Sequence, residues 1–177
     1  MWKRWESIHP LCRRINREAA SDRIAAQSLA HGAPSGRNQH ESPFGSDPLT
    51  NALQRLAEGI ERYRSDIIAD TQIRDGLIQR FAFIYEISHR MIKRFLESAS
   101  ANPEAFDAMP FADLIRTANE QGLLLGNWTD WKRYREMRSR TSHAYDEQIA
   151  LGVVEGIPAF LAEGEYLLHQ LQERNAE

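Results

Sequence analysis

The sequence predicts an all-α protein, an up-and-down antiparallel helical bundle of about five helices. Apolar residues recur at alternating spacings of three and four in several long segments, which is the period of a helix that buries one face. Neither a strand pattern nor an internal repeat stands out in the sequence. Because short connections join the segments, neighbouring helices are expected to run antiparallel.

Length and composition limit the classes of protein that fit. At 177 residues and 42% hydrophobic content, the chain can bury a core without crosslinks, and its single cysteine excludes an internal disulfide or a multi-cysteine zinc site. It contains no apolar run of roughly 18 residues and no signal-type start. We therefore expect a soluble, cytoplasmic protein with no membrane association, cofactor or metal. A formal net charge of −3 argues against a general nucleic-acid coat protein, so any RNA contact should be local.

The first quarter of the chain differs in composition from the rest. Residues 1–46 are rich in arginine at the start and in Gly, Pro, Ser and Asn towards the end, as in a linker. We expect a poorly ordered N-terminal extension and linker here. An RNA-binding arm and a transit sequence are alternatives, although Glu6, Glu18 and Asp22 interrupt the basic start. The helical bundle domain is predicted to span residues 47–177.

Two apolar seams predict the first two helices. Asp47 and Pro48 form a start signal, because an acid caps free N–H groups and proline suits the first helical turn. A break is expected around 69–71, and the second helix should end near Ser98. Gly76 inside the second helix is expected to allow close approach of a neighbouring backbone. The first seam consists of Leu49, Leu53, Leu56, Ile60, Tyr63 and Ile67, and the second includes Ile73, Leu77, Phe81, Ile84, Tyr85, Met91, Phe95 and Leu96.

Three further helices complete the predicted bundle. Pro110 starts a short third helix, which Gly122 ends, because glycine readily adopts the left-handed conformation of a helix stop. Trp128 opens the fourth helix after a Gly-Asn turn. The fifth helix is expected to run over about 146–171, with a kink at Pro158, which lacks a backbone donor.

Positive charge is concentrated near the end of the fourth predicted helix. Five of the nine residues 132–140 are Lys or Arg, namely Lys132, Arg133, Arg135, Arg138 and Arg140. Such a concentration in a nearly neutral protein predicts an anion site, and a phosphate or RNA-binding role for these side chains.

Arg138 and His143 are the candidate chemical groups of this segment. An arginine holds phosphate oxygens with a fixed fork of donors, and an imidazole moves protons near neutral pH. Residues five apart in one helix lie about 140° apart, so the helix should end or bend before His143. Thr141 and Ser142 are expected to cap the next helix. An ordinary salt-bridged surface arginine with a histidine at a helix end would give the same spacing.

Two segments of the sequence match known patterns. Residues 138–145, RSRTSHAY, are similar to the signature R-x4-H-x-Y, usually close to RN-x-TSH-T-Y, of the HEPN-domain family, the small helical partners of minimal nucleotidyltransferases. Residues 74–87, RDGLIQRFAFIYEI, resemble the long second helix, where RDGLIQRFEF and a following YEL are typical. The two matches occur in the expected order and cover most of residues 49–171. Ser139 stands where the family usually has Asn, and its shorter side chain can still form a hydrogen bond.

The resemblance implies a function as well as a fold. Members of this kind are toxins that cut RNA without a metal ion, which assigns catalysis to Arg138 and His143, with Ser139, Thr141 and Ser142 as supporting polar residues. The neighbouring nucleotidyltransferase acts as antitoxin and attaches AMP to the residue matching Tyr145. The family is commonly homodimeric, with two R-x4-H motifs facing each other.

A second function is also consistent with the resemblance. Members close to this sequence are described as nucleotidyltransferase substrate-binding proteins, which pair with the transferase and present a nucleotide or acceptor to it. Arg138 and the basic residues around it would then bind phosphate, and His143 would only form hydrogen bonds. Ser139 in place of Asn favours this alternative mildly.

Overall fold

The computed structural model describes residues 47–66 and 70–175. Within these ranges the chain forms five α-helices and two short 3-10 turns, with no strand, which confirms the predicted all-α bundle. The predicted N-terminal extension, residue Ile67 and the first residue of the predicted break, Ala69, lie outside the described residues. The helices are α1 (Asp47–Ser65), α2 (Thr71–Ala99), α3 (Phe111–Glu120), α4 (Trp128–Arg140) and α5 (Glu147–Asn175), and the 3-10 turns are Pro103–Phe106 and Thr141–His143.

The two longest helices, α2 and α5, form the centre of the bundle. Helix α1 packs against both of them, α4 packs against α5 and α2, and α3 packs against α4. Phe81 of α2 meets Phe160 of α5 edge-on, with ring centroids 4.9 Å apart, and both side chains are fully buried. Aromatic rings prefer this edge-to-face arrangement. The predicted apolar residues Phe81 and Tyr85 of α2 are buried, whereas Phe83, which was not among them, is exposed.

Glycine residues of α5 allow its close packing with other helices. A Cβ atom added to Gly164 would lie 2.6 Å from Cδ2 of Leu53, and one added to Gly156 would lie 2.5 Å from the Met137 side chain. Gly76 does not have this role, because a Cβ atom added there meets nothing within 4 Å. The prediction of a close backbone approach at Gly76 is therefore wrong.

Glycine and proline have different effects on α3 and α5. Gly122 has a φ of 70°, its N–H bonds to the Asn119 carbonyl, and the N–H of Leu123 bonds to the Ala118 carbonyl. This pattern of two bonds ends a helix and confirms the predicted stop. Pro158 lies inside α5, which continues past it without interruption. None of the described helices has the length and apolar character needed to cross a membrane.

Candidate functional site

A buried carboxylate fixes the start of α4, the helix that carries the basic residues. Glu163 of α5 is only 1% exposed and accepts a 3.0 Å hydrogen bond from Nε1 of Trp131. It also accepts bonds from the backbone N–H groups of Leu125 (3.1 Å) and Gly126 (2.7 Å). Burial raises the pKa of Glu163, because desolvation disfavours the charged form more than these donors favour it. Helix α4 is thus anchored to α5 at the end opposite the candidate site.

A capping box begins α4 immediately after this anchor. The Asn127 side chain accepts from Thr129 N at 2.7 Å, and the Asp130 side chain accepts from Asn127 N at 3.0 Å. Each side chain satisfies an N–H group that the first turn of the helix leaves without a helical partner.

The R-x4-H-x-Y segment lies at a helix junction, as the spacing of Arg138 and His143 predicted. Helix α4 ends at Arg140, residues 141–143 form a 3-10 turn, and α5 begins at Glu147. The 3-10 turn also packs against α2 and α5. The junction therefore gathers the signature residues at one end of α4.

The predicted caps at this junction are wrong in detail. Thr141 belongs to the end of α4, because its Oγ1 donates to the Arg138 carbonyl at 2.8 Å, and Ser142 Oγ donates to the Ser139 carbonyl at 3.0 Å. Asp146 caps α5 instead, since its side chain accepts from Ile149 N and its carbonyl from Ala150 N. A hydroxyl group between two helices can donate to the last carbonyls of the first helix or accept from the first N–H groups of the next. Here both hydroxyls donate to carbonyls of α4.

Two neighbours hold the Arg138 guanidinium. Its Nε donates to Oε1 of Glu86 on α2 at 3.0 Å, and its Nη1 donates to Oγ1 of Thr141 at 3.2 Å. The Arg138 side chain is 37% exposed and the Glu86 side chain 46% exposed. Within the described part of the chain, Nη2 has no such partner and can donate to an anion. Glu86 was not predicted as a site residue from the sequence. It lies within residues 74–87 of α2, the segment that resembles the family, and this position could have indicated it.

His143 and Tyr145 lie beside each other on the surface of the junction. Their ring centroids are 6.2 Å apart, and both side chains are exposed, Tyr145 by 87%. Both the phenol and the imidazole are therefore accessible from solution. The arrangement can therefore bind a phosphate at Arg138 and exchange a proton at a histidine of the same junction.

The basic residues of α4 do not form one continuous patch. At 100° per residue, Arg133 and Arg140 lie within about 20° of each other, on a different side from Arg138. Arg133 extends towards α5, with Nη2 3.7 Å from where a Gly156 Cβ would be. Lys132 and Arg135 are exposed and share a side, and Arg135 is one turn from Arg138. Of these basic residues, only Arg135 adjoins Arg138 on α4.

Sequence reasoning also missed an aromatic contact next to Arg138. The Arg135 guanidinium carbon lies 4.9 Å from the centre of the Phe111 ring, and His89 of α2 meets that ring edge-on at 5.1 Å. Burial, with a smaller opposing effect of Glu86 and smaller contributions from Arg135 and Lys93, lowers the pKa of His89. The sequence did not predict this contact, because His89 and Phe111 are far apart in the chain and no residue spacing links them.

In the part of the chain described by the structure, no group of three or more His, Cys, Asp or Glu side chains is arranged to hold a metal ion.

Comparisons with known proteins identify relatives of this chain. Residues 46–173 match the family described as nucleotidyltransferase substrate binding protein like. A protein of Haemophilus influenzae named probable ribonuclease HepT is 43% identical over 109 residues, which cover 62% of this chain and 73% of the relative. A solved Haemophilus influenzae structure, described as revealing the fold of a substrate-binding domain of a nucleotidyltransferase, has a TM-score of 0.68 and 34% identity. The aligned region covers 72% of this chain and 98% of the chain in that structure.

The family match covers well over half of the chain and all five helices except the last two residues of α5, and the solved relative shares the fold. The chain therefore belongs to the HepT-like family of nucleotidyltransferase substrate-binding proteins.

Proposed function

We propose that this protein is a HEPN-type toxin, a metal-independent RNA endonuclease that a partner minimal nucleotidyltransferase neutralises. The observation that carries the proposal is the junction geometry, where Glu86 and Thr141 hold Arg138 in the segment that also exposes His143. The name of the relative, probable ribonuclease HepT, supports the same class of reaction. Because RNA is the substrate, the proposal places the protein in the cytoplasm.

The reaction uses a nucleophile that RNA itself supplies. His143 takes the proton from a ribose 2′-hydroxyl, and the 2′-oxygen attacks the adjacent phosphorus. The bond from phosphorus to the 5′-oxygen breaks, the departing oxygen takes a proton from water, and a 2′,3′-cyclic phosphate remains. Arg138 holds the phosphate and stabilises the charge that develops on its oxygens. Glu86 and Thr141 orient Arg138 so that its Nη2 side meets the phosphate.

Tyr145 is the proposed site of control. Its hydroxyl oxygen attacks the α-phosphorus of ATP in the partner's active site, pyrophosphate leaves, and the tyrosine proton is released. The 87% exposure of Tyr145 supports access by the transferase. The added AMP carries a negative charge and a bulky adenosine next to His143, so that it excludes RNA by repulsion and by size.

A homodimer belongs to the same proposal. Exposed His143 and half-exposed Arg138 leave one side of the junction open to a second copy of the chain. Two facing junctions would place two sets of Arg138 and His143 along one RNA strand. Sedimentation of the purified protein should then give the mass of a dimer.

Incubation with RNA tests the nuclease. Purified protein with EDTA should cut total RNA and leave 2′,3′-cyclic ends, whereas Arg138→Gln and His143→Ala should not cut it. Co-expression with the neighbouring transferase should add the mass of AMP to Tyr145 and abolish cleavage. Cleavage that survives both substitutions, or a neutralised protein with unmodified Tyr145, would contradict the corresponding part of the proposal.

The alternative is a non-catalytic subunit that pairs with the transferase and binds a nucleotide or acceptor. The family description and the description of the solved relative favour it. In that case, the chain expressed without its partner is harmless, binds the transferase tightly, and binds nucleotide through Arg138. Growth arrest on expression alone would instead favour the nuclease.

A further inference from the structure

A second arginine lies one helical turn before Arg138 on the same side of α4. Arg135 and Arg138 are three residues apart, so their Cβ atoms are about 5–6 Å apart. Glu86 of α2 bonds to Arg138, whereas Phe111 at the start of α3 supports the Arg135 guanidinium. His89 of α2 contacts the same Phe111 ring. Arg135 therefore lies beside Arg138 on α4 with a separate support.

Among the described residues, an aromatic ring, and not a carboxylate, holds the Arg135 guanidinium in place. It lies 4.9 Å from the centre of the Phe111 ring, and stacking on an aromatic face restricts a side chain that is otherwise mobile. The Arg135 side chain is exposed, and no carboxylate of the described residues forms an ion pair with it. An oriented, uncompensated cation is ready to bind an anion.

Arg135 and Arg138 both influence the pKa of Tyr85. Burial raises the pKa of Tyr85 to about 12, while Arg135 acts to lower it, Glu86 to raise it and Arg138 to lower it. Arg135, Glu86 and Arg138 thus share one electrostatic environment on the side where α4 faces α2.

We propose that Arg135, stacked on Phe111, is a second phosphate subsite that binds the phosphate next to the one held by Arg138. The inference rests on the proposed function and extends it to the substrate. The preferred ligand is a single strand with at least two consecutive phosphates, because the two arginines lie one helical turn apart on the same side of α4. Phe111 acts as a positioning residue for Arg135. Phosphate contacts of this kind set the register of a strand without reading its bases.

Short oligonucleotides test the subsite through binding. A dinucleotide with one internal phosphate is compared with the same dinucleotide carrying an extra 5′-phosphate or 3′-phosphate, all as 2′-deoxy compounds that lack the nucleophile. We expect one of the two phosphorylated forms to bind the wild-type protein about tenfold more tightly than the parent. Arg135→Gln should remove this gain, so that the phosphorylated form binds no more tightly than the parent. Phe111→Leu should reduce the gain while Arg135 is still present.

Arg116→Gln is the matched control for Arg135→Gln. Arg116 also lies over an aromatic ring, that of Trp128 at 5.7 Å, but Asp113 neutralises it through a 2.8 Å ion pair. This variant should keep the full gain from the extra phosphate. An equal gain in wild type and Arg135→Gln, or no gain with either phosphorylated form, would overturn the subsite. An Arg135→Gln variant that loses only transferase binding would also overturn it, because the residue would then belong to a protein interface.

The same oligonucleotides distinguish an error in the proposed subsite from an error in the proposed nuclease activity. The ribose form of the parent dinucleotide reports cleavage by wild type, while the deoxy forms report binding whether or not RNA is cut. Cleavage without an Arg135-dependent gain contradicts the subsite alone. An Arg135-dependent gain without cleavage contradicts the nuclease alone.

Discussion

Arg138 on α4 and Glu86 on α2 are joined by a 3.0 Å hydrogen bond between Nε and Oε1, across 52 positions of sequence. Both side chains are partly exposed, so water screens the pair and its contribution to stability is small. Its main consequence is geometric. With Nε held by Glu86 and Nη1 by Thr141, the guanidinium presents a defined edge to a phosphate.

Loss of this contact should impair cleavage more than stability. We expect Glu86→Gln to lower kcat for RNA cleavage by about tenfold, because Arg138 loses a charged partner that orients it. KM should change less, since removal of the Glu86 charge also removes repulsion of phosphate. The free energy of unfolding should fall by less than about 1 kcal/mol. Steady-state kinetics and chemical denaturation measure both quantities.

Glu61→Gln is the control for the Glu86 prediction. Glu61 forms a 2.7 Å ion pair with Arg64 on the surface of α1, and it is not part of the candidate site. Its substitution should change neither kcat nor KM. Equal kinetic losses in the two variants would mean that Glu86 does not position Arg138.

Removal of the proposed base should abolish most activity without affecting the fold. His143→Ala is expected to slow RNA cleavage by roughly 10²–10⁴-fold, the usual contribution of a general base. Because His143 is exposed, the melting temperature should not change. His169→Ala removes another exposed histidine, one that contacts Glu173 near the end of α5, and should cleave RNA normally. A full rate with His143→Ala would reject the assigned role.

The carboxylate that anchors α4 should be important for stability. Glu163→Ala leaves the Trp131 indole and two backbone N–H groups without their acceptor. We expect the free energy of unfolding to fall by about 2–4 kcal/mol at pH 7. Urea denaturation followed by circular dichroism measures the change. A loss below about 0.5 kcal/mol would show that water replaces the carboxylate at little cost.

Stability should depend on pH through His89. The folded protein has a lowered His89 pKa, so between that pKa and the ordinary value of 6.5 the unfolded chain binds more protons. The contribution of His89 is therefore complete above pH 6.5 and is lost as pH falls through the folded pKa. Denaturation from pH 5 to 8 should show wild type losing more stability in acid than His89→Asn does.

The groups around His89 determine the size of this effect. Glu86 favours the charged imidazole, whereas burial, Arg135 and Lys93 disfavour it. Glu86→Gln should therefore steepen the loss of stability in acid. His169→Asn serves as the control and should leave the pH dependence of wild type unchanged. A profile for His89→Asn that parallels wild type would contradict the prediction.

Two glycines of α5 should respond to alanine in opposite directions. A Cβ at Gly152 meets nothing within 4 Å, so Gly152→Ala should stabilise the protein by about 0.5–1 kcal/mol through higher helix propensity. A Cβ at Gly164 would be 2.6 Å from buried Leu53, so Gly164→Ala should destabilise it by about 1–3 kcal/mol. Thermal unfolding of the two variants measures the difference, and shifts of the same sign would contradict it.

The helical bundle was predictable because helix formation is governed by local pattern. The apolar seam of α1, the stop at Gly122 and the turn before Trp128 depend on residues within a few positions of each other, and the structure has all three. The end of α4 before His143 was predictable for the same reason, since five-residue spacing does not suit one face of a helix.

Contacts between helices were not predictable in this way. Gly76 and Gly164 are both glycines inside long helices, and only the packing of α1 against α5 decides that Gly164 is the one in a tight contact. Thr141 can cap either neighbouring helix, and its bond to the Arg138 carbonyl depends on how the junction packs.

The sequence by itself determined the fold class, the stop at Gly122 and the end of α4 before His143, because each depends on residue type and local spacing. It marked Arg138 and His143 as candidates in the same way, and Tyr145 through the family resemblance. Only the tertiary structure decided which side chains meet Arg138 and how the basic residues of α4 divide. The pairing with Glu86 and the stacking of Arg135 on Phe111 join residues from separate helices. Such contacts depend on the rotation and offset of packed helices, which helical periodicity does not specify.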